Sequence, residues 1–223
     1  MSAVPTPRRI GLLGGTFDPI HAGHLDVARA AQQDLDLTYV HFLTADTPPH
    51  RPPPIASSYH RFAMTALAVA GAKGWRASDL ELRMPAPSYT SQTLRMFHEL
   101  GYDSDELYFI IGADAFKDIR LWRDYPQILD AAHFVVVSRP GFAASGSGPD
   151  HDARVILIDA PTADVSSTVI RQRRASGQSI AGLVPPGVQQ HIEQHGLYSP
   201  MPQDRRPTED GEAAGTGRRH GEN

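Results

Sequence analysis

No cysteine occurs among the 223 residues. That absence removes disulfide frameworks, thiolate nucleophiles, cysteine-ligated zinc and iron–sulfur clusters together. Lysine is nearly missing too. Lys73 and Lys117 stand against 19 arginines, and neither closes a glycine-rich loop, so a lysine-dependent phosphate loop is excluded. No stretch reaches 18 apolar residues, and Met1–Arg9 has no apolar core of a signal peptide. The reading therefore predicts a cytoplasmic protein without a membrane span. Charge of one sign is not in excess: a net charge of -4 supplies no broad basic face, so neither nucleic acid nor membrane is an expected partner. Homo-oligomerisation is left open.

What is present is an ordinary globular composition. Hydrophobic residues make 40% and charged residues 21%, close to the soluble average, and the length fits one domain able to bury its own core. Apolar runs at Arg8–Gly14, Thr38–Leu43, Trp75–Leu82, Leu107–Ile111, Phe134–Ser138 and Arg154–Ile158 predict six short strands. Helical spacing falls between them: about His21 to Asp34, a segment capped by Ser57 or Ser58 that runs through Val69, Ser88–Leu100 with Gly101 as its stop, and Trp122–Ala132. Strands alternating with helices predict an α/β fold, a three-layer Rossmann-like arrangement around a mainly parallel sheet. Ligands on such sheets bind at the carboxyl ends of the strands. Residues 1–198 are expected to form this domain. Gly141–Asp152 reads as a surface loop, and 199–223, rich in Pro, Gly and charge, as a disordered polar tail.

Chemistry concentrates between the first strand and first helix, in Gly14-Gly15-Thr16-Phe17-Asp18-Pro19-Ile20-His21-Ala22-Gly23-His24. Paired glycines permit close backbone approach, and the N–H groups of a loop and helix start suit an anion. His21 and His24 would add two neighbouring imidazoles. Gly23 between them costs a helix about 1 kcal/mol relative to Ala, so something is expected to approach closely there. Two other readings exist: first-turn histidines in solvent, or a zinc pair, which would need a third ligand. A second cluster, Ser166-Ser167-Thr168 with Arg171 one turn later, can cap a helix or donate to phosphate oxygens.

Together these motifs resemble the nucleotidylyltransferase superfamily. Thr47-Pro48-Pro49-His50-Arg51, Ser88-Tyr89-Thr90, Ile111-Gly112-Ala113-Asp114, Trp122 and Ser138-Arg139-Pro140-Gly141 follow in the order seen in the bacterial nicotinate-nucleotide adenylyltransferases. The resemblance spans about Arg8 to Tyr198. It implies transfer of AMP from ATP to nicotinate mononucleotide, giving deamido-NAD and pyrophosphate, with Mg2+ carried by ATP. It assigns catalysis to His21, His24 and Arg171. ATP would be bound by these residues with Gly14, Gly15, Thr16, Phe17, Gly112, Asp114, Ser167 and Thr168. Nicotinate mononucleotide would meet His50, Arg51, Tyr89, Thr90, Trp122 and Arg139. The same chemistry on nicotinamide mononucleotide, and a nucleotide-binding regulator without turnover, are the alternatives. A dehydrogenase is excluded because Gly11–Gly15 does not supply the spaced glycines of a dinucleotide fingerprint.

Overall fold

The computed structural model describes residues 8–49, 52–138 and 154–199. His50, Arg51, Arg139, the Gly141–Asp152 loop and residues 200–223 of the tail lie outside them. Six strands form one sheet: β1 (Ile10–Gly15), β2 (Tyr39–Thr44), β3 (Trp75–Ser78), β4 (Leu107–Gly112), β5 (His133–Ser138) and β6 (Val155–Asp159). Their order is β3-β2-β1-β4-β5-β6, and every pairing is parallel. The strand order reverses between β1 and β4. At that switch point the carboxyl ends of the two strands diverge into loops on opposite sides and leave a crevice.

Both faces of the sheet are covered, as a parallel sheet requires. Period-two alternation sends Leu13, Phe42, Ile110 and Val135 to one face, and Leu12, Leu43, Phe109 and Phe134 to the other. The first face carries α1 (Ala22–Asp34), α2 (Ser58–Val69), α5 (Ser167–Ala175) and α6 (Pro186–Gln194), through Ala28, Met64, Ile170 and Val188. The second carries α3 (Thr90–Glu99) and the short α4 (Ala113–Phe116), through Leu94, Phe97 and Phe116. No helix among the described residues is long and apolar enough to cross a membrane.

Three local expectations need correction. The strand expected over Trp75–Leu82 stops at Ser78, and a 3-10 turn over Leu80–Arg83 tucks Glu81 inward. The helix expected over Trp122–Ala132 is absent. Short 3-10 turns occupy Ile119–Leu121 and Gln127–Asp130, and Pro126 between them lacks the N–H a helix would use. Conversely, α6 has no counterpart among the expected helices, although Pro186 at its first position and Val188 and Ile192 at helical spacing mark it. Ser57 is the cap of α2, accepting from the His60 amide, and Gly101 with φ +86° ends α3.

Glu81 supports the start of α3. Its buried carboxylate accepts from Thr93 Oγ1 at 2.7 Å, while Ser88 Oγ accepts from the Asp46 amide at 3.0 Å, joining the loop after β2 to α3. Burial pushes the Glu81 carboxyl above its ordinary value, opposed by hydrogen bonds from Thr93 and Ser88. A carboxyl raised in the folded state keeps its proton after the unfolded chain has lost it. Its stability contribution is therefore complete below the reference value of 4.5 and declines as pH rises from there toward the folded value. Glu81→Gln removes that penalty. The variant should melt at a higher temperature than the parent at neutral pH, and the gap should close in thermal scans taken below about pH 4; a gap independent of pH would rule out ionisation as its source.

Candidate active site

The loop leaving β1 is built from the inside. Gly15 leaves the space that the Phe17 ring occupies: a Cβ on Gly15 would lie 2.6 Å from that ring. Phe17 takes φ +49° and is buried, so its side chain cannot reach a nucleotide. Its edge meets the His24 ring with centroids 5.1 Å apart. The expected ligand contact of Phe17 is thus limited to its backbone, and its side chain acts by positioning His24. Gly14 leaves more room, with the Phe109 ring 3.5 Å from where its Cβ would stand. The close approach expected at Gly23 is made by the Ala163 carbonyl and the His21 ring, each 3.3 Å from the missing Cβ.

His21 is the N-cap of α1, and His24 sits one turn inside. The two rings stack with centroids 3.7 Å apart and planes 23° apart. The His21 amide donates to His24 Nδ1 at 3.3 Å. Accepting there leaves Nδ1 unprotonated, so in neutral His24 the proton resides on Nε2 and that atom is the donor.

The second wall is fastened to the same loop. Ser166 caps α5 by accepting from the Val169 amide, which settles capping for the first hydroxyl only. Ser167 Oγ donates to the Pro19 carbonyl at 2.9 Å, Arg171 Nη1 donates to the Asp18 carbonyl at 2.8 Å, and Arg171 Nη2 donates to Thr168 Oγ1 at 3.2 Å. Arg171 keeps further N–H donors beyond these two bonds. The fold therefore brings His21, His24, Ser167, Thr168 and Arg171 around one loop at the amino ends of α1 and α5.

Three residues that sequence reasoning missed hold this arrangement. Asp18, 5% exposed, accepts from the amides of Ile55 at 2.8 Å and Ala56 at 3.1 Å and from the Tyr198 hydroxyl at 2.7 Å. Arg61, 1% exposed, donates to the carbonyls of Thr16, Ala45, Asp46 and Ala56. Burial lowers the Arg61 guanidinium from its ordinary value, while Asp18 and Asp46 raise it. Burial and the Asp18 charge push the Tyr198 hydroxyl well above its ordinary value, so it remains a donor. Arg61 had a signal: it shares the buried stripe of α2 with Met64 and Thr65 at helical spacing.

Across the switch point, Gly112 is the N-cap of α4 and Asp114 lies in its first turn, exposed and 3.3 Å from Lys117 Nζ. Tyr89 caps α3, and Thr90 opens it. Arg123 lies 4.7 Å over the Tyr89 ring, and its neighbour Trp122, partly buried, meets Phe109 edge-on at 6.0 Å. Trp122 and the start of α3 thus belong to the sheet face opposite the one that carries α1 and its histidines.

A parallel sheet with this order and a switch-point crevice fits a nucleotide-binding α/β protein, and the match of residues 12–173 to the Cytidylyltransferase-like family model makes the class nucleotidyl-transferring. A Thermus thermophilus protein named "Probable nicotinate-nucleotide adenylyltransferase" is 44% identical over 190 residues, covering 85% of this chain and 99% of its own. A Roseiflexus protein of the same name is 43% identical over 208 residues, covering 89% and 100%. The chain belongs to the nicotinate-nucleotide adenylyltransferase family. A Plasmodium falciparum nicotinic acid mononucleotide adenylyltransferase complexed with NaAD shares the fold, with a TM-score of 0.66 at 20% identity over 86% of this chain and 97% of that one.

The Tyr198 hydroxyl is one of three donors to a buried carboxylate. Tyr198→Phe should cost about 1–3 kcal/mol, because it leaves that acceptor short of a partner. Urea unfolding should show a lower midpoint at unchanged slope, and an unchanged midpoint would remove Tyr198 from the support of the loop.

Proposed function

We propose that this chain is an adenylyltransferase that moves AMP from ATP to the 5′-phosphate of nicotinate mononucleotide, releasing pyrophosphate and forming deamido-NAD. The observation that carries the reading is the stacked His21–His24 pair at the start of α1, with Arg171 fastened to the same loop. ATP phosphates fit between these walls. His24 Nε2–H and Arg171 would stabilise charge gathering on the α-phosphate and on the departing pyrophosphate. Ser167 and Thr168 add hydroxyls, and the amides at the start of α5 add further donors. Gly112 and Asp114, across the crevice, are proposed contacts of the ribose.

No enzyme nucleophile is required. A phosphate oxygen of the mononucleotide attacks the α-phosphorus of ATP, the bond to the β-phosphate oxygen breaks, and the electron pair leaves with pyrophosphate. The chain's contribution is alignment and charge stabilisation. For the pyridine ring, Trp122 offers an aromatic wall and the amides opening α3 at Thr90 can receive a carboxylate. His50, Arg51 and Arg139, outside the described residues, are proposed contacts of the mononucleotide.

Magnesium fits this site as an ion carried by the ATP phosphates. Asp18, the acid inside the histidine loop, spends its carboxylate on Ile55, Ala56 and Tyr198, so the loop offers no protein cage. A magnesium that keeps most of its water needs none, and it would supply charge neutralisation of the phosphates.

Pyrophosphate release measured with ATP, Mg2+ and either nicotinate or nicotinamide mononucleotide tests the reading. The acid should be strongly preferred; equal use would overturn the ring assignment, and no release with either would overturn the reaction. His24→Ala should fold and lose turnover by about 100–1,000-fold, as expected for one charge-stabilising donor.

A further inference from the structure

A second histidine cluster lies on the sheet face that carries α2 and α6, apart from the His21–His24 pair. His60 comes from the first turn of α2, His191 from α6, and His195 from the C-cap of α6. His191 and His195 are four residues apart, and the His195 amide donates to the His191 carbonyl at 3.1 Å, so the helical turn continues and both rings share one side. His60 reaches across from α2: its Nδ1 lies 3.1 Å from His191 Nε2. Ring centroids are 5.3 Å apart for His60 and His191, 4.9 Å for His60 and His195, and 4.4 Å for His191 and His195. One ring nitrogen from each of the three lies within 4.8 Å of the other two.

We propose that His60, His191 and His195 form a binding site for a borderline divalent transition ion, zinc above all, with solvent in the fourth position. Zinc holds imidazole nitrogens at about 2.0–2.1 Å in a tetrahedron, which sets them about 3.3 Å from one another. The His60–His191 separation is already close to that edge. His195, the exposed member, offers a ring nitrogen within 4.8 Å of both as the third ligand. Three imidazoles without carboxylate or thiolate select zinc, cobalt, nickel or copper and not magnesium, which takes oxygen ligands.

The site joins two elements that end at the Asp18 loop. His60 directly precedes Arg61, and α6 leads into Tyr198 three residues after His195. A metal here clamps α2 to α6 and adds binding free energy to the folded state alone. The sequence signal is a His-x-x-x-His pair in α6, and only the α2 contact reveals the third ligand.

The test uses the full chain after chelator treatment, titrated with Zn2+ calorimetrically and with Co2+ by visible absorption, with Mg2+ as comparison. Wild type should bind zinc at this site, show tetrahedral cobalt bands, and melt at a higher temperature with zinc but not with an equal concentration of magnesium. His60→Gln, His191→Gln and His195→Gln should each lose one zinc equivalent per chain or weaken it by at least about 100-fold, since even outer partners of a metal ligand are worth about 10–100-fold. His24→Ala should keep that equivalent. Metal-free melting of His195→Gln should equal that of wild type, which separates ligand loss from misfolding. Failure of wild type to bind zinc overturns the proposal. So does binding that persists unchanged in the three variants, which would assign the ion to other histidines.

Discussion

The Asp18 carboxylate sits inside the histidine loop with almost no solvent access and takes hydrogen bonds from two backbone amides and the Tyr198 hydroxyl. A buried charge is tolerable only when its acceptors are filled, and removing one partner of such an arrangement is strongly destabilising. Here the partners come from distant parts of the chain: the stretch before α2 and the end of the segment after α6. One carboxylate thereby ties both to the turn that presents His21 and His24. The Asp18 carbonyl and that of Pro19 complete the connection by receiving Arg171 and Ser167 from α5. Both walls of the proposed phosphate site hang from these two consecutive residues.

Arg61 does for the neighbouring loops what Asp18 does for this one. Its guanidinium collects the carbonyls of Thr16, Ala45, Asp46 and Ala56. Carbonyls at the ends of β1 and β2 cannot be left dry, and a planar donor with several N–H groups satisfies them together. Acid and base thus divide the labour: Asp18 fills amides, Arg61 fills carbonyls, and the Asp18 charge opposes, without cancelling, the burial that lowers the Arg61 guanidinium. Preorganisation of this kind matters for a reaction that relies on alignment, because donors already held in place need no reorganisation as charge develops.

Much of this is legible in the sequence where local rules suffice. The six strands show as apolar runs, the Ser57 cap and the Gly101 stop follow capping chemistry, and the ordered motifs from Gly14 to Gly141 carry the family. The misreadings have specific causes. Trp122–Ala132 has helical apolar spacing, yet Pro126 interrupts it and 3-10 turns result. Gly15 looks like space for a ligand, while the Phe17 ring fills its side-chain face; at Gly23 the expected close approach is there, made by His21 and the Ala163 carbonyl. A missing Cβ reports that something is near and cannot say whether it is a substrate or the chain itself.

Periodicity and capping depend on neighbours a few residues away, so the alternation of strand and helix, the location of the histidine loop and the class of chemistry can be read along the chain. The pairing of Asp18 with Tyr198, the collection of four carbonyls by Arg61 and the meeting of His60 with His191 and His195 join segments far apart along the chain. Each is a matter of which helix packs on which face of the sheet. That follows from the β3-β2-β1-β4-β5-β6 order together with the side of the sheet to which each connection crosses, neither of which is a property of neighbouring residues.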